Sequence, residues 1–206
     1  MTSTYIQHLL GRKLSSPPVV AYLNELSSAA ALSAAPTPEI KSYPDVIYYN
    51  FHTLGLSLLF KPIEGYIPKI GSLRSELTED KMILESLDLY NIPQIPMSDS
   101  KKKKESAFST YPVSPVILTI GEEDNSPLQF TRKSTGKDFV QLLGEPDRKG
   151  GGSGPSSGSI GIWCEWTKHG ILVEFGGVEA IGPQAWERGK DAVWKVVTVF
   201  LLNAQE

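Results

Sequence analysis

The sequence has few of the residues that build redox and metal sites. It contains one cysteine, Cys164, and three histidines among its 206 residues. A single thiol cannot form an internal disulfide, and three scattered histidines do not complete the ligand set of a structural zinc ion. The sequence therefore predicts no disulfide, no metal site and no cofactor.

Excess positive charge and long apolar runs are also missing. Lysine and arginine number 20 against 23 aspartates and glutamates, which gives a net charge of −3. A nucleic-acid-binding surface needs clustered positive charge, so these totals do not favour a nucleic-acid partner. No apolar run approaches the ~20 residues that span a bilayer, and the first residues lack the apolar core of a secretory signal. We therefore expect a cytoplasmic protein.

Three stretches rich in small or polar residues divide the chain, at positions 29–38, 98–106 and 149–158. The 149–158 stretch has no apolar side chain to bury, which predicts a mobile surface loop. These breaks predict a first α+β unit at 1–97, a lysine-rich linker at 98–106 and a second α+β unit at 107–206.

Two β-hairpins stand out between the breaks. Residues 159–166 alternate, with Cys164 on one face and Trp163 on the other, and residues 171–175 follow after a turn that ends at Gly170. The segment 45–60 repeats this pattern without a gap when Gly55 is set on Gly170, and Phe60 then falls on Phe175. Any two amphipathic hairpins of this length resemble each other, which is the alternative to a true repeat.

The surroundings of the two hairpins also correspond. A helix precedes each one, with Ser16 and Pro17 at the start of the first, and Thr135 or Ser134 as the cap of the second. An apolar strand follows each one, at 83–90 and at 193–202. The sequence therefore predicts an α+β fold made of two tandem helix plus antiparallel β-sheet repeats packed together.

These segments resemble a known eukaryotic family. Residues 45–60 (DVIYYNFHTLGLSLLF) and 137–146 (KDFVQLLGEP) resemble segments of the phagosome assembly factor family, which takes part in autophagy. A Ser/Gly-rich loop, an aromatic strand around Trp163 and Trp166, and the strand 171–175 follow in the family's order. The resemblance covers roughly residues 17–202 and corresponds to the C-terminal half of longer members.

The resemblance implies a non-catalytic adaptor. The family acts with a β-propeller partner that binds phosphoinositides at forming autophagosomal membranes, and it supplies no catalytic residue to transfer to this chain. The sequence has no G-x-S-x-G element, the motif that carries a nucleophilic serine, and this is consistent with a non-catalytic protein. Cys164 falls on the predicted core face, and His52 and His169 lie by hairpin turns where solvated side chains are expected. A small-ligand-binding or hydrolytic α+β protein, with its site between two sheets, is the alternative.

Two sets of residues are candidates for binding. Tyr48 and Trp163 occupy equivalent positions and point away from the predicted core, so on an open face they would anchor a protein partner, whereas under covering helices they would be core. Four consecutive lysines could contact an anionic membrane or act as a nuclear import signal, with a solvated linker as the plain alternative. These lysines are Lys101, Lys102, Lys103 and Lys104.

Overall fold

The computed structural model describes residues 6–34, 36–92, 107–119, 127–152 and 161–202. In these ranges the fold is α+β. The helices are α1 (Pro17–Ala29), α2 (Gly136–Leu143) and α3 (Ala185–Arg188). The strands are β1 (Glu39–Ser42), β2 (Ile47–Phe51), β3 (Leu56–Pro62), β4 (Met82–Tyr90), β5 (Val116–Thr119), β6 (Pro127–Phe130), β7 (Arg148–Gly150), β8 (Trp163–Trp166), β9 (Ile171–Phe175) and β10 (Trp194–Phe200).

Eight of the strands form one antiparallel sheet in the order β1-β2-β3-β4-β10-β9-β8-β7. The first four come from residues 39–90 and the last four from residues 148–200, and each set runs from an edge strand inward to the centre. The two sets meet where β4 pairs antiparallel with β10. Strands β5 and β6 form a separate two-stranded sheet.

The two halves of the sheet use matching registers. Each central hairpin turns through a short 3-10 segment and a left-handed glycine, with φ 56° and ψ 39° at Gly55 and φ 62° and ψ 37° at Gly170. Glycine adopts this backbone region without steric cost. In β4 the residue Glu85 is skipped in the pairing with β3, and in β10 the residue Lys195 is skipped in the pairing with β9.

Local sequence explains where the two longer helices begin. Pro17 opens α1 after the extended residue Ser16, and proline suits the first helical position because its missing N–H would have no helical partner there. In α2 the backbone N–H of Thr135 donates to the Asp138 carboxylate at 2.7 Å. That helix ends at Leu143 and is followed by Gly144, whose φ is 78°.

One face of the sheet forms the hydrophobic core. Its inward side chains from β2, β3, β4, β8, β9 and β10 are buried with residues of α1, α2, β5 and β6 in one cluster. On α2, Phe139 packs near Phe175 with ring centroids 6.1 Å apart. On β6, Phe130 meets Trp194 edge to face at 5.5 Å. In the described residues, the side chains between the two sheets are therefore part of the hydrophobic core.

Several sequence predictions are confirmed and one is wrong. Both hairpins, both preceding helices and the two apolar strands are present, with slightly different ends. The 149–158 stretch is not entirely a loop, because Lys149 and Gly150 pair with Cys164 and Trp163 in β7 and β8. Residues 153–160 and the four lysines at 101–104 lie outside the described residues.

We expect Phe60→Ala and Phe175→Ala each to lower the free energy of unfolding by about 3–5 kcal/mol, because both rings are buried in the core. Chemical denaturation of the purified variants measures this. Val178→Ala is the control, since Val178 is largely exposed and its truncation should cost less than about 0.5 kcal/mol. Unfolding midpoints of both phenylalanine variants equal to that of the control would show that these rings do not form the core.

Candidate protein-binding face

The sheet's second face is not part of the hydrophobic core. We call it the outer face. Its side chains alternate with the core residues along each strand, and most of them are half-buried. None belongs to the buried core cluster, not even the buried Val196. The face includes Glu39, Tyr48, Asn50, Ser57, Leu59, Ser86, Asp88, Tyr90, Arg148, Trp163, Glu165, Leu172, Glu174, Val196, Thr198 and Phe200.

A polar row crosses the middle of the outer face. Strand pairing aligns one residue from each of the eight strands, and three groups of them are joined by hydrogen bonds. The row reads Glu39, Asn50, Ser57, Asp88, Thr198, Leu172, Glu165 and Arg148. The Ser57 hydroxyl donates to Asn50 Oδ1 at 2.8 Å, and an Asn50 N–H donates to Glu39 Oε2 at 3.5 Å. At the other end, an Arg148 N–H donates to Glu165 at 3.4 Å.

Asp88 lies at the centre of this row, where β4 meets β10. The Thr198 hydroxyl donates to Asp88 Oδ1 at 2.8 Å. Loss of water around the carboxyl raises the pKa of Asp88 to about 6, the bond from Thr198 opposes that rise, and the negative charge of Glu174 adds to it. No lysine, arginine or histidine in the described residues forms an ion pair with Asp88 or Glu174. The centre of the face is therefore acidic.

The two aromatic residues predicted as binding anchors both lie on the outer face, but far apart. Tyr48 is on β2 and Trp163 is on β8, so five strand spacings, roughly 24 Å, separate them. Tyr48 contacts Tyr43 edge to face, with ring centroids 6.3 Å apart. Partial burial and then the charge of Asp88 raise the pKa of the Tyr48 phenol. The two residues are not one compact site.

A glycine at the sheet edge sets the position of the Trp163 ring. A Cβ added to Gly150 would lie 2.6 Å from Cζ2 of Trp163, so the indole lies directly over the backbone of β7. Only a residue without a side chain leaves this space. The ring is consequently held half-buried along the edge, with its partner Glu174 on the other side.

A cluster of aromatic rings that the sequence did not predict lies on the outer face at the end of β4. Phe108 stacks on Tyr90 with ring centroids 3.8 Å apart and an interplanar angle of 3°. His52 packs against Phe108 at 4.4 Å and its Nε2 lies 2.9 Å from Glu39 Oε2. This bond lowers the pKa of the Glu39 carboxyl. His52 is therefore half-buried and hydrogen-bonded to Glu39, with 30% of its side chain exposed to solvent.

The remaining candidate residues are not arranged as a catalytic or metal-binding site in the described ranges. Cys164 is buried on the core face as predicted, and loss of water raises the pKa of its thiol to about 11, which keeps it protonated near neutral pH. His169 lies in the hairpin turn before Gly170 and is half-buried. Within the described ranges, no group of three or more His, Cys, Asp or Glu side chains is arranged to hold a metal ion.

A cleft of about 280 Å³ lies between α1 and the β2 end of the sheet on the core side. Its charged and phenolic groups are already paired with each other. Arg74 Nε donates to Glu79 Oε1 at 2.8 Å, and the Tyr49 hydroxyl donates to the same oxygen at 3.3 Å. The cleft thus has no free titratable group among these three to act on a ligand.

Comparison of the chain with protein-family models, with curated proteins and with solved structures finds no match. Over the part of the chain that the structure describes, no helix combines the length and apolar character needed to cross a membrane.

We expect Asp88→Asn to stabilise the protein at pH 8 and to flatten its stability between pH 4 and 7. Burial raises the folded-state pKa to about 6, above the ~3.9 of an unfolded aspartate. The contribution of Asp88 to the free energy of unfolding is therefore fully present below about pH 4. It is lost as the pH rises through 6. Because Asp88 keeps some contact with water, we expect a gain of roughly 1–2 kcal/mol at pH 8.

Denaturant titrations at several pH values measure this effect, and the asparagine carbonyl still accepts the Thr198 hydroxyl. Asp45→Asn is the matched control, since Asp45 is exposed and its replacement should change the stability at pH 8 by less than about 0.5 kcal/mol. A variant at position 88 that is less stable than the unmodified protein at pH 8 would contradict the account.

Proposed function

We propose that the protein is a non-catalytic adaptor of autophagy or membrane trafficking, which binds a β-propeller-type protein at autophagosomal membranes. The observation that supports this most is the outer face. Most of its aromatic, aliphatic and acidic side chains are half-buried and lie outside the core cluster, although Asn50, Ser57 and Val196 are buried and Phe108 stacks on Tyr90. The resemblance of residues 17–202 to the phagosome assembly factor family supplies the cellular process and the kind of partner.

The shape of the outer face suits a broad partner. Tyr48 and Trp163 lie near opposite ends of the sheet, and Tyr90 and Val196 lie between them. A partner that contacts both aromatic residues covers roughly 24 Å. Standard protein interfaces bury about 800 Å² on each side, which is a patch of that width. The wide surface of a propeller fits such a patch better than a single peptide segment does.

The edges of the sheet favour face binding over strand addition. Edge strands β1 and β7 have four and three residues, and they carry charged side chains. Lys41 and Glu39 are exposed on β1, as are Arg148 and Lys149 on β7. Short, charged edges are typical of sheets that avoid pairing with another chain. We therefore assign the partner contact to the outer face and not to an edge.

We also infer that the two halves are tandem repeats of one helix plus antiparallel-sheet unit. The matched hairpin turns, the skipped residues Glu85 and Lys195 and the mirrored strand order support this. A repeat of this kind gives the partner two related half-surfaces. Tyr48 of one half then corresponds to Trp163 of the other, since both pair with the third strand of their half.

A small-ligand-binding or hydrolytic role has less support. The cleft of about 280 Å³ is one location for it, but Arg74, Glu79 and Tyr49 there are hydrogen-bonded to one another. The residues that line this cleft include no histidine or cysteine and a single carboxylate, that of Glu79, so they offer no nucleophile–base pair.

The double variant Tyr48→Ala/Trp163→Ala tests the proposal. We expect affinity purification from eukaryotic cells, with mass spectrometry, to recover one β-propeller protein with the unmodified chain. The double variant should weaken binding of that purified partner at least tenfold, because buried aromatic anchors contribute most of the energy of such interfaces. Isothermal titration or interferometry with both purified proteins measures it.

Trp186→Ala is the matched control. Trp186 is also a partly exposed tryptophan, but it lies on α3, away from the outer face, and should leave affinity unchanged. Circular dichroism establishes that all three proteins are folded. Unchanged affinity of the folded double variant, or equal loss in the control, would refute the assignment of the partner to the outer face.

A further inference from the structure

The loop that leads into α2 carries a concentration of positive charge. Residues 131–137 include three basic side chains and no acidic one, and two further lysines lie in the neighbouring segment 190–195. All five basic side chains are exposed. Among the described residues, none of them forms an ion pair. We call this set the basic patch, and it consists of Arg132, Lys133, Lys137, Lys190 and Lys195.

A contact between the two segments brings these charges together. Thr135 and Val193 form an antiparallel bridge, which places Lys133 and Lys195 at the same end of it. Two cations that are far apart in the sequence therefore lie on adjacent segments at the same level.

Two glycines allow a close approach at the other end of the bridge. A Cβ added to Gly136 would collide with the carbonyl oxygen of Gly189 and would lie 3.5 Å from the Cα of Lys190. Because Lys137 follows Gly136 in the chain, its backbone is close to that of Lys190. Lysines of both segments therefore lie at each end of the contact.

Hydrogen bonds fix the backbone of the loop. Two buried residues donate to it, since Asn91 Nδ2 lies 2.9 Å from the Arg132 carbonyl oxygen and Trp194 Nε1 lies 2.8 Å from the carbonyl oxygen of Thr131. The Arg132 guanidinium donates to two backbone carbonyls, at 2.9 and 3.2 Å. These partners hold the guanidinium in place without neutralising its charge.

The electrostatics of the fold disfavour the cations at these positions. Lys137 lies in the first turn of α2, where the helix dipole favours an acidic side chain over a basic one. Lys133 and Lys195 carry the same charge at the same end of the bridge, so they repel each other. Residues that break a local rule without benefit to the fold are typical of functional surfaces. The basic patch is therefore a candidate for binding a negatively charged ligand.

The charge of the region stays positive when the flanking acidic residues are counted. Positions 131–138 and 187–195 together contain six basic and three acidic residues, which gives +3. The whole chain carries −3, so its remaining positions sum to −6. One of the three acids, Asp138, accepts the Thr135 N–H at 2.7 Å and so caps α2. Glu174 pairs across the sheet with Val196, next to Lys195, but forms no ion pair with that lysine.

The small extent of the basic patch indicates the kind of ligand. Arg132 and Lys137 are five residues apart, so their Cα atoms lie at most roughly 18 Å from each other. Dissolved salt limits the attraction of exposed charges to about 10 Å. A bilayer or a long nucleic acid would extend beyond the patch, over a chain whose remaining positions sum to −6. A short acidic segment of a polypeptide meets the patch alone.

We propose that the basic patch binds an acidic segment of a protein partner, about six extended residues long, through the carboxylates of that segment. Six extended residues reach roughly 20 Å, which covers the patch. The fixed backbone of the loop reduces the entropy that is lost on binding. The patch includes no residue of the outer face, so this inference does not rest on the proposed function.

Fluorescence anisotropy with labelled peptides and the purified full chain tests this. The probes are an octapeptide of aspartate and glutamate and its neutral counterpart of asparagine and glutamine. We expect the acidic peptide to bind at least tenfold more tightly than the neutral one. Its affinity should fall several-fold between about 50 and about 200 mM sodium chloride, because salt screens the attraction. Lys133→Glu/Lys137→Glu should weaken binding of the acidic peptide at least tenfold.

The matched control is Lys69→Glu/Lys168→Glu, which changes the net charge by the same amount. Both lysines are exposed, and they lie before β4 and before β9, at the ends of these strands that are opposite to the basic patch. This variant should bind the acidic peptide within about twofold of the unmodified chain, because its changed charges lie beyond the screening distance.

Two further variants separate charge from structure and from the outer face. Lys133→Arg/Lys137→Arg keeps both charges and should bind the acidic peptide like the unmodified chain. Tyr48→Ala/Trp163→Ala should also leave peptide binding unchanged. Melting temperatures are measured in parallel, and Lys133→Glu/Lys137→Glu should not lower them, since an acidic residue in the first turn of α2 suits the helix dipole.

Two other anionic probes test the class of ligand. They are an eight-nucleotide single-stranded RNA and phosphatidylcholine vesicles with 30% phosphatidylserine, and both should bind more weakly than the acidic peptide. The proposal is overturned if the acidic and neutral peptides bind equally, or if Lys133→Glu/Lys137→Glu binds like the unmodified chain. It is also overturned if the Lys69→Glu/Lys168→Glu control loses as much affinity, or if the RNA or the vesicles bind more tightly than the acidic peptide.

Discussion

The antiparallel pairing of β4 with β10 is the contact on which the rest of the structure depends. It joins residues 82–90 to residues 194–200 at the centre of the sheet. The Asn91 N–H donates to the Lys195 carbonyl and the Leu201 N–H donates to the Glu85 carbonyl, each at 2.8 Å, so the two ends of this pairing close in the same way. Without it, each half would expose the backbone of an apolar strand at an open edge.

This pairing also creates the outer face. The helices α1 and α2 and the strands β5 and β6 all pack on the core side, where they bury the inward side chains of both halves. The alternation of side chains along each strand then leaves the other face half-exposed. Asp88 and Thr198 meet at its centre only because β4 and β10 are neighbours. The acidic middle of the proposed binding surface is thus a product of long-range pairing.

Local patterns in the sequence were enough to predict the hairpins but not the site. Alternation, with Gly55 and Gly170 at the turns, indicated both hairpins and placed Tyr48 and Trp163 on one face. The distance between these residues depends on which strands are neighbours, and no local pattern encodes that. Asp88 could not be identified from the sequence for the same reason, because its role on the outer face depends on its position opposite Thr198.

Glycine was the least reliable local signal. The run around Gly150 is typical of a loop, yet Gly150 belongs to β7 because the Trp163 ring needs the space above it. The strands β1, β5 and β6 were missed because each is short and lies outside the two hairpins that Gly55 and Gly170 mark. The ring contact between Phe108 and Tyr90 joins separate segments of the chain, so neither residue alone indicated it.

Native-state amide hydrogen exchange followed by NMR tests the central pairing most directly. If β4 and β10 unite the two halves, the slowest amides of residues 86–90 and 196–200 exchange only by global unfolding. Their exchange free energies then equal one another and the value from denaturant unfolding. Slow exchange in one of these strands together with exchange in the other at a free energy lower by several kcal/mol would show that the halves unfold separately, and would contradict the account.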